Sequence, residues 1–143
     1  MKGAILAAGA LLAGCGSVPA TPEARAREEF RQGNLLFDQG LYAEAAGHYE
    51  AVIAVRERMK ESYHRLAYCY EVRGDESRAV ETLERAARVD PQDDYALKHL
   101  WRLYCRRGFA DQALGAARSL VKLFPADRDL RMEIARLEGL KGN

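Results

Sequence analysis

Residues 66–91, LAYCYEVRGDESRAVETLERAARVDP, and residues 100–125, LWRLYCRRGFADQALGAARSLVKLFP, carry one pattern written twice. Laid over one another at a shift of 34 residues, Leu66 meets Leu100, Tyr70 meets Tyr104, Gly74 meets Gly108, Ala79 meets Ala113 and Pro91 meets Pro125. Gly33, Leu36, Gly40, Tyr42, Ala45, Tyr49 and Val52 fall into an earlier copy in the same frame, so the repeats run over 26–59, 60–93 and 94–127. Each half-repeat spaces its apolar residues three and four apart with no strand-like alternation, which predicts a pair of amphipathic helices. Gly40, Gly74 and Gly108 end the first helix of each pair, and Pro91 and Pro125 end two of the second helices. The expected helices lie near 23–39, 42–57, 60–73, 76–89, 94–107, 110–123 and 127–139.

Small residues, a tyrosine, a glycine turn, an alanine and a terminal proline at these offsets resemble the tetratricopeptide repeat family. The resemblance implies an all-α fold, a right-handed α-solenoid of three helix pairs within residues 23–143, closed by a capping helix at 128–140 through Leu130, Ile134, Leu137 and Leu140. A single repeat cannot bury its apolar face alone, so stacking and a cap make the array stable. Two positions depart from the pattern. The first repeat ends in Arg56-Glu57-Arg58 where the others carry proline, so its second helix is expected to run longer or its turn to be looser. Trp101 stands where the family keeps a small residue, while Ala117 stands where the earlier repeats have Tyr49 and Leu83, which reads as a volume swap that keeps the core dense.

The chain has 143 residues, 48% hydrophobic and 30% charged, with four prolines; that composition fits one globular domain and excludes disorder over most of it. Twenty-two basic residues against 21 acidic ones give no overall pull toward nucleic acid. Cys15, Cys69 and Cys105 are too few for a disulfide scaffold and match no zinc spacing.

Residues 1–14, MKGAILAAGALLAG, place one lysine before a short apolar run and read as a secretory signal. As a helix the run would span roughly 15–18 Å, too little for about 30 Å of hydrocarbon. Leu12-Ala13-Gly14-Cys15 resembles the lipobox of bacterial lipoproteins, which implies that Cys15 is acylated and becomes the first mature residue. The competing reading is an ordinary signal with a chance cysteine. Residues 15–22 then form the anchor and a tether of small residues and proline, reaching roughly 25 Å at most. Gly16, which is not aspartate, implies by the same resemblance an outer-membrane, periplasm-facing location in a Gram-negative cell.

No nucleophile elbow, phosphate loop or metal-binding helix motif is present, and no catalytic residue, metal or cofactor is expected. His48 reads as a surface or packing residue and His64 as a candidate ligand contact. Cys69 and Cys105 leave open three readings: small buried side chains, a structural disulfide, or thiol redox chemistry. Family geometry assigns the concave surface to first-helix positions, here Phe30, Asn34, Phe37 and Asp38, then His64, Tyr68, Glu71 and Val72, then Tyr95, Lys98, Arg102, Cys105 and Arg106, with Met132 and Arg136 from the cap. Lys98, Arg102 and Arg106 follow at four-residue steps, a stripe suited to carboxylates, although such a stripe is also what a solvated helix face looks like. Residues 94–143 carry net charge +4 and residues 15–93 carry −4, so the groove is expected to be basic at one end and aromatic at the other. The carboxylate clamp of eukaryotic chaperone adaptors is not reproduced, since only Asn34 matches and the third-repeat basic positions fall on Tyr95 and His99.

The expected function is that of a lipid-anchored scaffold, not an enzyme, holding a protein or peptide partner, acidic in part, in its groove. The resemblance extends to small outer-membrane lipoproteins that assist assembly of type IV or Flp pili and secretins. Competing readings are an adaptor for cell-wall enzymes or outer-membrane assembly factors and an envelope thiol redox enzyme using Cys69 and Cys105.

Overall fold

The computed structural model of the chain describes residues 21–141, so the signal, Cys15 and the tether up to residue 20 lie outside the described residues. The described residues form seven helices: α1 (Pro22–Asp38), α2 (Tyr42–Val55), α3 (Lys60–Val72), α4 (Glu76–Val89), α5 (Asp94–Arg106), α6 (Ala110–Leu123) and α7 (Arg128–Lys141). Each ends within two residues of its expected bound. Consecutive helices pack on one another, which makes an all-α solenoid of the tetratricopeptide type.

The turn inside each pair is one solution used three times. Gly74 sits at φ +76°, donates to Glu71 O at 3.0 Å, and lets Asp75 N–H reach back to Tyr70 O at 2.9 Å. Gly40 and Gly108 repeat the geometry. A left-handed residue here satisfies the last carbonyls of the first helix while reversing the chain.

The turn between repeats corrects one expectation. Helix α2 is 14 residues, the same as α4 and α6, and it neither runs longer nor ends loosely. Arg56 takes φ −123° and ψ 67°, against −124° and 69° at Phe124, which precedes a proline. Met59 N–H bonds Arg56 O at 2.9 Å, as Asp127 N–H bonds Phe124 O at 3.0 Å. The flanking helices and one backbone hydrogen bond set this turn, and the proline ring is dispensable to it. Capping is what differs. Asp93 accepts from Ala96 N–H at 3.2 Å and Asp127 from Leu130 N–H at 3.0 Å, whereas Met59 gives α3 no side-chain cap.

The core runs the length of the stack through Tyr49, Tyr63, Leu66, Leu83 and Leu103, all fully buried. A smaller cluster of Leu97, Leu120 and Leu130 lies at the C-terminal end. Trp101, half-buried, packs against both clusters, while Ala117 is fully buried. The indole N–H is buried and meets no acceptor among the described protein atoms.

Neighbouring repeats are joined by a polar link at one position of the frame. Tyr70 donates to Glu50 and Tyr104 donates to Glu84. One period on, Arg118 meets Glu138 at 2.7 Å, so the link reaches α7 with its donor moved to the other helix. Helix α7 starts one period after α5 and buries Leu130 and Leu137, so it occupies the place of a first helix in the next period.

Candidate functional site

Helices α1, α3 and α5 set their aromatic side chains along a shared groove. The Phe37 ring lies 5.3 Å from Tyr42 and 5.3 Å from Tyr68, and Tyr42 and Tyr68 are 5.9 Å apart. The Arg65 guanidinium stands 5.0 Å over the Phe37 ring. One helix further, His64 stacks on Tyr95 at 4.2 Å and Tyr95 stacks on His99 at 4.2 Å. Between the two groups opens a cleft of about 270 Å³ lined by Phe37, Glu61, His64, Arg65, Tyr68 and Tyr95. Tyr68 is 40% exposed there, its ring presented to whatever enters.

Carboxylates hold the imidazoles. His64 Nε2 lies 2.6 Å from Asp93 Oδ2, and His99 Nδ1 lies 2.8 Å from Glu71 Oε1. Arg102 Nη2 also reaches His99 Nδ1 at 2.8 Å and Glu71 Oε2 at 3.2 Å. A single ring nitrogen serves one of these: protonated it donates to Glu71, unprotonated it accepts from Arg102. The His99 hydrogen bond, outweighing burial, holds the Glu71 carboxyl below its ordinary range, with help from the charges of His99 and Arg102. Burial at Asp93 pushes its pKa up, yet the His64 hydrogen bond, the Ala96 N–H and the charges of His64 and Lys60 together hold it below the usual value.

The structure brings Phe37, His64, Tyr68 and Tyr95 into one cleft and sends other expected residues elsewhere. Phe30 meets the buried Tyr49 edge-on at 5.9 Å, and Asn34 Oδ1 accepts from Tyr49 Oη at 2.9 Å, so both support the core behind the groove. The basic stripe is already paired. Lys98 binds Asp94 at 2.9 Å and lies 4.7 Å over the Phe124 ring, Arg102 holds Glu71, and Arg106 binds Glu76 at 2.6 Å. Arg136 bonds Glu133 on its own helix at 2.8 Å. Asp38 is exposed, and Val72 and Met132 add exposed apolar surface, Met132 at 71%.

Both remaining cysteines are free thiols. Burial pushes Cys69 up to about 11, and the half-buried Cys105 is raised by burial as well. A reactive thiol needs the opposite shift, toward thiolate at neutral pH. No cluster of three metal-ligating groups exists among the described residues. His48, expected as a surface or packing residue, is half-buried and meets Glu29 at 2.7 Å.

Sequence reasoning confined the groove to first helices and so passed over Tyr42, the first residue of α2, which closes the aromatic group from the side. It also passed over Arg65 and Asp93. Asp93 carried a readable signal, an acidic residue directly before a predicted helix, and its second role on His64 depends on a contact 29 residues away that only the fold reveals.

Comparison with known proteins agrees with this architecture. The profile of the tetratricopeptide repeat family matches residues 30–94. The Photosystem I assembly protein Ycf3 of Prochlorococcus marinus (strain MIT 9211) is 31% identical over 99 residues, 67% of this chain and 57% of that protein. Ycf3 of Synechococcus sp. (strain CC9605) is 28% identical over 120 residues, 80% of this chain and 69% of that protein. The chain thus spans little more than half the length of the first of these relatives. Among solved structures, the first TPR of Spaghetti (RPAP3) bound to the HSP90 peptide SRMEEVD superposes with a TM-score of 0.66 at 15% identity, covering 88% of this chain and 99% of that one. That likeness is one of fold.

Proposed function

We propose that the chain is an assembly scaffold, anchored to a membrane through an acylated Cys15, whose groove holds an extended segment of a protein partner. The observation that carries this reading is the cleft between Phe37, Tyr68 and Tyr95. It is open, aromatic, and built by two neighbouring repeats and α1, the setting in which a bound segment buries its own apolar side chain. The paired state of Lys98, Arg102 and Arg106 makes an acidic partner residue a competitor for existing carboxylates, so aromatic and apolar contacts contribute most of the affinity. The Ycf3 relatives carry the name of assembly proteins, which supports an assembly role in general. Their complex is a photosystem, so they lend no support to pilus or secretin assembly in particular.

The test is photocrosslinking in cells from a probe at Tyr68, with Ala54 on the exposed side of α2 as the control. One dominant protein adduct from Tyr68 and none from Ala54 supports the reading; adducts from Ala54 alone overturn it. The anchor is tested separately by the mass of the purified protein, which gains acyl chains at Cys15 and loses them in Cys15→Ser.

A further inference from the structure

A second cleft lies away from the groove, where the α2–α3 turn meets the end of α4. Its volume is about 380 Å³, and it is lined by Glu57, Arg58, Tyr63, Arg85, Arg88 and Val89. Three guanidiniums thus face one carboxylate. Several arginines elsewhere are matched: Arg31 with Glu28, Arg102 with Glu71, Arg106 with Glu76, Arg118 with Glu138. Arg58, Arg85 and Arg88 enter no ion pair among the described residues; Glu57 shares their cleft, Glu50 and Glu81 share a smaller one with Arg85, and Asp90, two residues after Arg88, is held by Lys60 at 3.4 Å. Arg85 stands 5.5 Å over the Tyr63 ring, which fixes its direction. Next to the cleft a shallower one of about 410 Å³ adds Arg56 and the exposed Val55.

The sequence of this turn is unexplained by the fold. Arg56-Glu57-Arg58-Met59 stands where the later turns read Asp90-Pro91-Gln92-Asp93 and Phe124-Pro125-Ala126-Asp127, yet the backbone matches and the Asp cap is given up. The arginines bring the turn no fold-stabilising contact that would account for that exchange. Its position is suggestive. Because helices alternate in direction, the start of α1, the α2–α3 turn and the end of α4 share one end of the stack. The chain enters α1 at that end, after a tether whose length keeps it within roughly 25 Å of Cys15.

We propose that this arginine cleft binds the phosphate of an anionic phospholipid headgroup and docks that end of the solenoid on the membrane. Guanidiniums suit phosphate oxygens through paired N–H donors, and Val55 is placed to meet the acyl boundary. The orientation leaves the groove facing sideways, clear of the bilayer. The proposal rests on the anchored reading above and is tested apart from it.

The full chain is purified from a bacterial host and its mass read for acyl chains, which decides the anchor alone. The same protein is then placed on phosphatidylcholine discs with and without phosphatidylglycerol, or added to vesicles of those lipids if it is unacylated, and amide exchange is followed at residues 56–61. Phosphatidylglycerol is expected to slow exchange there about tenfold or more, since each arginine at an anionic surface strengthens attachment by roughly fivefold. Arg58→Gln/Arg85→Gln/Arg88→Gln should abolish the effect. The equal charge loss Arg73→Gln/Arg78→Gln/Arg107→Gln, at the opposite end and roughly 20 Å away, should leave it intact, since that distance exceeds the screening length. Equal loss in both triples, no dependence on phosphatidylglycerol, or the same protection from inorganic phosphate on phosphatidylcholine discs would overturn the headgroup assignment.

Discussion

Gly33 and Tyr49 leave no room for a methyl group between them: a Cβ on Gly33 would stand 3.0 Å from Tyr49 Cε1 and 3.2 Å from His48 Cβ. Tyr49 cannot retreat, being fully buried, bonded to Asn34 and flanked by Phe30 and Phe37. The same two positions hold Ala67 and Leu83 in the second repeat and Trp101 and Ala117 in the third. Size therefore moves from the second helix to the first along the stack.

Gly33→Ala should lower stability by about 1–2 kcal/mol, crowding exceeding the gain in helix propensity. Gly33→Ala/Tyr49→Leu, which copies the second repeat, should recover most of it. Urea unfolding of the single and double variants checks this; an unchanged midpoint for Gly33→Ala would mean that Tyr49 can move.

For the third repeat, Trp101→Ala alone should cost about 3–5 kcal/mol. Combined with Ala117→Tyr it should cost less than the two single changes added together. Additive losses in a double-mutant cycle would show that the indole and residue 117 do not share a space.

Acid should unfold the protein through the carboxylates under the aromatic ladder. Asp93 and Glu71 are both held below their ordinary pKa by the fold, so their stabilisation is complete above roughly pH 4–4.5 and is lost as pH falls through their folded values. Melting temperature should be nearly flat from about pH 7 to 5 and fall below about pH 4. Asp93→Asn keeps a capping side chain and loses the charge facing His64; it should melt lower at pH 7 and show a shallower acid decline in a calorimetric series.

Tyr104→Phe should destabilise by about 1 kcal/mol, since it removes the donor that satisfies Glu84 and leaves the packed ring. Arg118→Ala, which removes the donor of the next link, should cost well under 1 kcal/mol because that pair is exposed. Chemical denaturation of both variants separates the two kinds of link.

In the groove, Tyr68→Ala should weaken capture of the crosslinked partner by tenfold or more, and Tyr68→Phe by no more than about threefold, if the ring face provides the contact. The loss should appear mainly in the dissociation rate.

The repeat was readable because its signals are local: a glycine that must take positive φ and apolar residues at three- and four-residue spacing. The α2–α3 turn was misread because the missing proline is a strong local signal, while the packing that imposes the same turn without it is not local. The groove was half readable. Phe37, Tyr68 and Tyr95 follow from their register, but the inward turn of Asn34 depends on Tyr49 15 residues away, and the pairing of Arg102 on Glu71 31 residues away. A stripe of cations in a sequence does not show which of them are already matched.

The turn glycine Gly74 has open space where a side chain would project, with nothing within 4 Å, and only the sign of its φ excludes one. The exclusion is thus a matter of handedness rather than room. A D-alanine placed there by chemical ligation would meet no clash and would narrow the unfolded ensemble, raising stability by up to about 1 kcal/mol, whereas L-alanine at the same atom count would lower it. Gly40 and Gly108 offer the same mirror-image vacancy, so the solenoid carries three places where a residue of inverted chirality fits better than any the ribosome supplies.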